Sequence, residues 1–220
     1  NQVCGELAAG YLERPGAAQL IARSYPDAKL LAVIENPLVS VRVEYLRAKR
    51  ARVSSARGPL SEFLKNNPEV LLRARYGRML VPYFHYYATT DLLVVAASDV
   101  REEPIKTLHL VYTHLGLDAN FVPLALKHLI VEEEDNEKRK PGFIKRFFMF
   151  IKKLIKAAYH EIGRRFKPPK IPVENLSAEA RALPLSPEME AFLKDYYRAD
   201  VAELSNLLHR NFLAEWGFME

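Results

Sequence analysis

The sequence contains little that would fix the chain by covalent cross-links or hold it across a membrane. Cys4 is the only cysteine, which excludes an intramolecular disulfide and the cysteine-rich zinc modules. No apolar run approaches the ~18–20 residues that a membrane-spanning helix needs, and no signal-peptide pattern follows the first residue. We interpret the start at Asn1 as a cut within a longer gene product; a mature terminus left by processing is the alternative.

Several common catalytic motifs are absent as well. There is no G-x-x-x-x-G-K-[ST] loop, no G-x-G-x-x-G segment and no G-x-S-x-G elbow, so no phosphate cradle or hydrolase nucleophile can be identified. The segment that starts at His160-Glu161 has Arg164 where a zinc-binding helix needs its second histidine. We therefore predict no metal site.

The residues that are present indicate a globular protein with an uneven charge distribution. The chain has 220 residues, of which 49% are hydrophobic and 27% charged, which suits one large domain or a domain with an appendage. The net charge is +5, but residues 137–170 carry twelve Lys/Arg and two Glu, a net +10, so the remainder sums to −5. One segment therefore supplies all of the positive excess.

Two short apolar runs alternate with helical segments. Residues 29–34 and 91–97 are rich in β-branched residues and bounded by turn residues, which predicts strands buried on both faces, as in a parallel sheet. Helices are predicted over residues 37–52 and 104–115, each opened by a proline. This order predicts an α/β fold. Because a stable parallel sheet needs more than two strands, we expect further strands upstream of Asn1.

Three more helices complete the expected architecture. Residues 15–24 and 69–87 have helical periodicity, and the last helix begins after Ser186 as N-cap with Pro187 in its first position. We predict three parts: a partial α/β core over 1–135, a basic insertion over 136–172, and a C-terminal part over 173–220 whose helix completes the domain.

The basic insertion contains a long amphipathic helix over residues 142–166, with Phe and Ile on one face and Lys and Arg largely on others. We favour docking of its apolar face on the domain; peripheral contact with an anionic membrane is the alternative. No nucleic-acid-binding motif accompanies the charge, so we predict no nucleic-acid partner. A cytoplasmic location, or a peripheral one at a membrane surface, is favoured.

Several stretches, taken in order along the chain, carry a family resemblance. They are Gly5-Glu6 with Tyr11-Leu12, Pro26 to Leu31 with Asn36-Pro37, Tyr76 with Leu80, Asp91 to Val95, Thr113 to Asp118, Pro184 to Glu188, and Glu190 to Arg198 followed by Glu203 to Leu208. Together they resemble the sulfotransferases, especially the Golgi heparan sulfate N- and O-sulfotransferases and their bacterial relatives. The resemblance covers nearly the whole chain.

The resemblance implies a P-loop-like parallel sheet flanked by helices. It also implies transfer of a sulfuryl group from 3′-phosphoadenosine 5′-phosphosulfate (PAPS) to a hydroxyl or amine, here of a carbohydrate, without a metal. In-line positioning and charge neutralisation would drive the step, and a carboxylate would take the acceptor's proton. That base is Glu6; a plain surface carboxylate is the alternative. The family's Lys-bearing loop for the 5′-phosphosulfate is expected before Asn1.

The chain departs from the family pattern at its 3′-phosphate loop. Asn36-Pro37 is kept, but Glu35 stands where the family has Arg and Val43 where it has Ser. We predict that Ser40 and Arg42 replace the lost contacts to the 3′-phosphate of PAPS. Ordinary helix-surface roles are the alternative for these two residues. Tyr76 is predicted to contribute to substrate binding. The two replacements also leave open a non-catalytic sulfotransferase-like module.

Overall fold

The computed structural model describes residues 4–8, 10–121, 123 and 176–219. The predicted insertion over 136–172, with its helix over 142–166, lies outside these residues. The described elements are α1 Ala17–Ser24, β1 Leu30–Ile34, α2 Pro37–Arg50, a 3₁₀ turn Ser54–Ala56, α3 Leu60–Asn66, α4 Glu69–Leu72, α5 Tyr76–Tyr86, β2 Leu92–Ala96, α6 Ala97–Glu102, α7 Pro104–His114, α8 Leu176–Ala182, α9 Pro187–Leu208 and α10 Phe212–Glu215.

The two predicted strands are confirmed, and they pair with each other. β1 and β2 run parallel, in a register that matches Leu30 with Leu92 and Ile34 with Ala96. Both strands therefore end at the same edge of the sheet, where the chain passes directly into α2 and α6. This edge positions the site described below.

Burial of β1 differs from the sequence-based expectation. Ile34 is buried, but Leu31 and Val33, which alternate with the inward-facing residues, are exposed among the described residues. Side chains of a strand alternate between the two faces of the sheet, so one face of β1 is packed, whereas Leu31 and Val33 on the other face remain 37% and 42% exposed. The prediction that this strand is buried on both faces is therefore wrong for the described part of the chain.

Helices α2, α5 and α9 form the main core together with the inner face of the sheet. Their apolar residues recur at three- and four-residue steps, so each helix presents one packed face. The buried residues on these faces are Leu38, Val41 and Tyr45 of α2, Leu80 and Tyr83 of α5, and Leu193, Tyr197, Val201 and Leu204 of α9. Burial of each such side chain stabilises the fold by about 1.5–3 kcal/mol.

The stretch predicted as one helix over 69–87 is divided. α4 ends at Leu72, Arg75 has a non-helical backbone (φ −88°, ψ 71°), and α5 begins at Tyr76. The buried Asp200 of α9 receives hydrogen bonds from the backbone N–H groups of Gly77 and Arg78, both at 3.0 Å. The first amides of a helix lack partners within it, so Asp200 caps α5 from another element and favours the new start.

Candidate functional site

A cavity of about 450 Å³ lies at the common carboxyl edge of β1 and β2. In parallel α/β sheets, ligands bind in the crevice outside the carboxyl ends of the strands. The residues that line this cavity are Glu35, Asn36, Val39, Ser98, Asp99, Arg101, Glu102, Glu103, Arg181, Arg210, Glu215 and Trp216. We call this cavity the strand-edge pocket.

Glu35, the first residue after β1, binds two arginines from separate helices. Its Oε2 lies 2.9 Å from Nη1 of Arg101 and 3.5 Å from Nη1 of Arg181, while its Oε1 accepts the backbone N–H of Asn36 at 3.0 Å. The three charged side chains are only partly buried. Burial, followed by the charge of Arg101, lowers the pKa of Arg181.

On the other side of the pocket, Arg210 bridges two carboxylates. Its Nη1 and Nη2 donate to the two oxygens of Asp99 at 2.6 and 2.7 Å, and its Nε and Nη2 donate to Glu215 at 2.7 Å. These hydrogen bonds raise the pKa of Arg210. Burial would raise the pKa of Asp99, but the hydrogen bonds and charge of Arg210 outweigh it and hold the pKa below its ordinary value.

The charge of the strand-edge pocket is therefore unfavourable for an additional anion. Among the described residues, five carboxylates line it against three arginines, and each of these arginines already contacts at least one carboxylate. Within the described part of the chain, no group of His, Cys, Asp and Glu side chains is arranged to hold a metal ion. Six of these pocket residues thus form two ion-pair clusters, Glu35 with Arg101 and Arg181, and Arg210 with Asp99 and Glu215.

Asn36-Pro37, the retained part of the predicted phosphate loop, begins α2. The side-chain oxygen of Asn36 accepts the backbone N–H of Leu38 at 2.9 Å, and Pro37 occupies the first helical position. The Asn36 side-chain amide also donates to the carbonyl of Trp216 at 3.4 Å, which ties α2 to the residues after α10. This pair therefore fixes the direction of α2 as it leaves the pocket.

Two of the predicted site residues contact each other beside the pocket. The hydroxyl groups of Ser40 and Tyr76 are 2.8 Å apart. Burial raises the pKa of Tyr76 to about 12, against the opposing effect of the Ser40 hydrogen bond, so the phenol is neutral at physiological pH. The pair can donate or accept a hydrogen bond but does not supply charge.

Arg42 lies one turn beyond the start of α2 and is held by backbone carbonyls. Its Nε donates to Leu38 at 2.9 Å and its Nη1 to Leu183 at 2.8 Å, just after α8. Burial lowers the pKa of Arg42, while the charges of Glu190 and Glu35 oppose this. Arg42 therefore orders the end of α8 and lies within the electrostatic range of Glu35.

Glu6 lies in a separate, exposed segment. Its Oε1 accepts a hydrogen bond from the hydroxyl of Tyr11 at 2.7 Å, and this bond raises the pKa of Tyr11. The carbonyl of Tyr11 in turn accepts the hydroxyl of Tyr83 on α5 at 2.8 Å, which fixes the segment to the core. Glu6 does not line the strand-edge pocket, and neither do Ser40, Arg42 and Tyr76.

Sequence reasoning missed the arginines that dominate the pocket. Arg101 is the one that the sequence could have indicated. It lies shortly after the end of β2, and the carboxyl ends of parallel strands share one edge of the sheet. Arg181 and Arg210 come from the C-terminal part of the chain, and no local pattern connects them to Glu35 or Asp99.

Comparisons with known proteins identify the fold. No protein family and no curated protein matches the chain. Among solved structures, it is similar to a sulfotransferase from Alicyclobacillus acidocaldarius, with a TM-score of 0.63 and 18% identity over 95% of this chain and 65% of that one. The chain thus spans about two thirds of that protein and has a sulfotransferase-like α/β fold. Among its described helices, none is long and apolar enough to cross a membrane.

Proposed function

We propose that the protein is a PAPS-dependent sulfotransferase that transfers a sulfuryl group to a hydroxyl or amine, with a carbohydrate as the acceptor. The observation that supports this most strongly is the similarity of 95% of the chain to a sulfotransferase structure. The ordered sequence matches support the same proposal independently. The location of the strand-edge pocket is also consistent with a ligand site of such a fold.

In this proposal Glu6 is the general base. Its carboxylate is exposed and already accepts a hydroxyl hydrogen bond, from Tyr11 at 2.7 Å. An acceptor hydroxyl at the same distance would be within reach for proton transfer to Glu6.

The residues of the strand-edge pocket match a nucleotide in size but not in charge. A cavity of about 450 Å³ is within the range of small-ligand sites. The excess of lining carboxylates over arginines repels phosphate groups, and the arginines are already paired. As they stand, these residues do not fit PAPS, and we derive no catalytic step through it.

This charge balance favours a second candidate function, a non-catalytic sulfotransferase-like module. In such a module the former donor site would be closed by internal ion pairs. Glu35 at the family's Arg position and its contacts with Arg101 and Arg181 are the specific observations that support it.

Titration of the complete gene product with adenosine 3′,5′-bisphosphate, together with a sulfate-transfer assay from PAPS to glycan acceptors, tests both candidates. Binding with transfer supports the enzyme, whereas neither binding nor transfer supports the non-catalytic module with its closed donor site. Absence of binding at millimolar ligand overturns the enzyme proposal.

Substitution at Glu6 tests the assignment of the base. E6Q should lower kcat by about 10²–10⁴-fold and leave bisphosphate affinity unchanged. E13Q is the matched control, because Glu13 lies in the same N-terminal segment and pairs with Arg73 at 3.3 Å. Equal activity of E6Q and wild type would remove Glu6 from the mechanism.

Peripheral membrane binding through residues 142–166 is a separate proposal that rests on the sequence. Deletion of residues 141–167 should reduce co-sedimentation with anionic liposomes. Unchanged co-sedimentation would contradict it.

A further inference from the structure

We propose that Tyr11, Tyr25 and Glu6 form a binding surface for an uncharged carbohydrate, which we call the tyrosine platform. None of the three residues lines the strand-edge pocket. The platform rests on the proposed function in one respect, since a carbohydrate bound there is the acceptor only if Glu6 is the base. Binding itself requires neither PAPS nor catalysis.

Tyr11 and Tyr25 are fixed by the same arrangement of hydrogen bonds. The carbonyl of each accepts the backbone N–H three residues later, at 3.2 Å for Tyr11 and 3.1 Å for Tyr25, so each residue begins a tight turn. Each carbonyl also accepts the hydroxyl of a buried tyrosine, Tyr83 for Tyr11 at 2.8 Å and Tyr87 for Tyr25 at 3.1 Å. A carbonyl oxygen has two lone pairs, and here both are used. The backbone of both residues is therefore held from two directions.

The two anchoring tyrosines bring these turns together. Tyr83 lies on α5 and Tyr87 directly follows its last residue, and the N–H of Tyr87 donates to the carbonyl of Tyr83 at 2.9 Å, which continues the helical turn. Side chains four residues apart on a helix are neighbours, with about 5–6 Å between their Cβ atoms. The carbonyls of Tyr11 and Tyr25 therefore lie side by side along α5. Their hydroxyl groups are also close enough to interact electrostatically.

Both exposed rings have the chemistry that suits a sugar. Tyr25 is 68% exposed and Tyr11 is 37% exposed. A pyranose ring has C–H groups on its faces and hydroxyl groups around its edge. The electron-rich face of a tyrosine attracts polarised C–H groups, while its hydroxyl exchanges hydrogen bonds with the edge of the sugar. A tyrosine whose backbone is already fixed loses little conformational entropy on binding, because only two side-chain torsions remain.

The charges beside the rings favour an uncharged sugar over a sulfated one. Oε1 of Glu6 accepts the hydroxyl of Tyr11 at 2.7 Å, and Oε2 of the same carboxylate can accept a sugar hydroxyl. This carboxylate repels sulfate groups. The charge of Arg14 also acts on Tyr11, but less strongly than Glu6 does. One arginine beside one carboxylate, the balance that the described residues give, offers a sulfated chain no net attraction.

Equilibrium binding of neutral tetrasaccharides in the absence of PAPS tests the tyrosine platform. The probes are cellotetraose, maltotetraose and mannotetraose, and calorimetry of the complete gene product should detect binding of at least one at millimolar concentration. Tyr25→Ala should weaken that binding about fivefold, whereas Tyr25→Phe keeps the ring and should stay within about twofold of wild type. Phe192→Ala is the matched control, because Phe192 is an exposed aromatic residue of α9, outside the platform.

The sulfate ester of the bound tetrasaccharide tests the preference for an uncharged ligand. A sulfated chain can bind elsewhere, through the twelve Lys and Arg of residues 137–170. Its affinity should therefore be the same in Tyr25→Ala as in wild type. An equal loss for the neutral and the sulfated sugar would overturn the proposal, because the platform would then not discriminate charge.

Nitration of tyrosine covers the case in which Tyr25→Ala folds poorly. In wild type, saturating tetrasaccharide should slow the reaction of tetranitromethane with Tyr25, followed by mass spectrometry. Unchanged nitration would overturn the proposal. The same holds if none of the three sugars binds, or if Phe192→Ala weakens binding as much as Tyr25→Ala.

The results also distinguish the tyrosine platform from the proposed function. Sugar binding that depends on Tyr25, without sulfate transfer, keeps the platform and rejects the enzyme. Sulfate transfer whose KM for the acceptor is unchanged by Tyr25→Ala keeps the enzyme and rejects the platform.

Discussion

Asp200 and Asp99 both join distant parts of the fold, but they are held in different ways. Asp200 is 2% exposed and receives two backbone N–H groups at the start of α5, whereas the more exposed Asp99 receives the two-pronged guanidinium of Arg210. Burial raises the pKa of Asp200, and Arg210 holds the pKa of Asp99 below its ordinary value.

This comparison separates a structural carboxylate from one at a ligand-accessible surface. Backbone donors cannot move without unwinding α5, so the contact between α5 and α9 is fixed. Side-chain donors can change rotamer, so the strand-edge pocket can rearrange around a ligand. Substitutions at the contact between α5 and α9 should therefore change stability by a different amount, and with a different pH dependence, from substitutions in the strand-edge pocket.

The largest effect is expected where α5 meets α9. An added Cβ at Gly77 would overlap the backbone oxygen of Asp200 and lie 3.1 Å from the nitrogen of Leu204. G77A should therefore destabilise the protein by about 3 kcal/mol and lower its melting temperature by about 6–12 °C. G5A is the control, since a Cβ at Gly5 has no atom within 4 Å. Equal melting temperatures for both variants would show that this contact is not tight.

Removal of the capping carboxylate should have the next largest effect. D200A leaves the N–H groups of Gly77 and Arg78 without their acceptor, which should cost about 2–3 kcal/mol in urea unfolding. A cost below that of an average surface substitution would contradict the capping role.

The pH dependence of Asp200 provides a separate test. Because its folded-state pKa is raised, its contribution to stability is complete below the unfolded pKa of about 4 and falls as pH rises through the folded pKa. Wild type should therefore lose stability relative to D200N as the pH rises from 4 to 7. The opposite slope would mean that the two amides outweigh burial.

Arg210 should show a smaller effect with the opposite pH dependence. R210Q should cost about 1 kcal/mol at pH 7, after allowance for the partial exposure of the pair. The pKa of Asp99 is lowered in the folded state, so this contribution is present above the unfolded pKa and disappears as pH falls through the folded pKa. Urea unfolding at pH 7 and pH 3 would measure this change. R210K should recover less than half of the stability that R210Q loses, because Lys lacks the planar guanidinium that binds both carboxylate oxygens.

The smallest effect is expected at an exposed pair outside both regions. Lys29 contacts Asp91 at 2.6 Å and the carbonyl of Thr90 at 3.1 Å, but both charged side chains are more than a third exposed. K29Q should cost at most about 0.5 kcal/mol, and the difference should vanish in high salt. A cost above that of R210Q would overturn the ranking.

Local sequence signals were sufficient for the two strands and for three of the helices, but they did not indicate α6 or α8, which also line the pocket. The apolar runs predicted β1 and β2, and the prolines at 37, 104 and 187 marked the starts of α2, α7 and α9 as the structure has them. These signals act within a few residues, where turn chemistry and side-chain periodicity decide the backbone.

The contacts inside the pocket could not be predicted in this way. Glu35 and its partners Arg101 and Arg181 are separated by 66 and 146 residues, and Asp99 and Arg210 by 111. The division between α4 and α5 depends on Asp200, which is 123 residues from Gly77. Such pairings follow from tertiary packing, which local periodicity does not encode.

The cap that Asp200 supplies to α5 also constrains how the protein folds during synthesis. The amides of Gly77 and Arg78 emerge from the ribosome well before their acceptor, which lies 123 and 122 residues later in the chain. Contacts of such long sequence separation slow folding, because the entropy of closing the loop between the two partners must be lost before the contact forms. We therefore expect α5 to remain poorly anchored on the nascent chain until α9 has been made, and a ribosome stalled before residue 200 to carry a protease-sensitive α5.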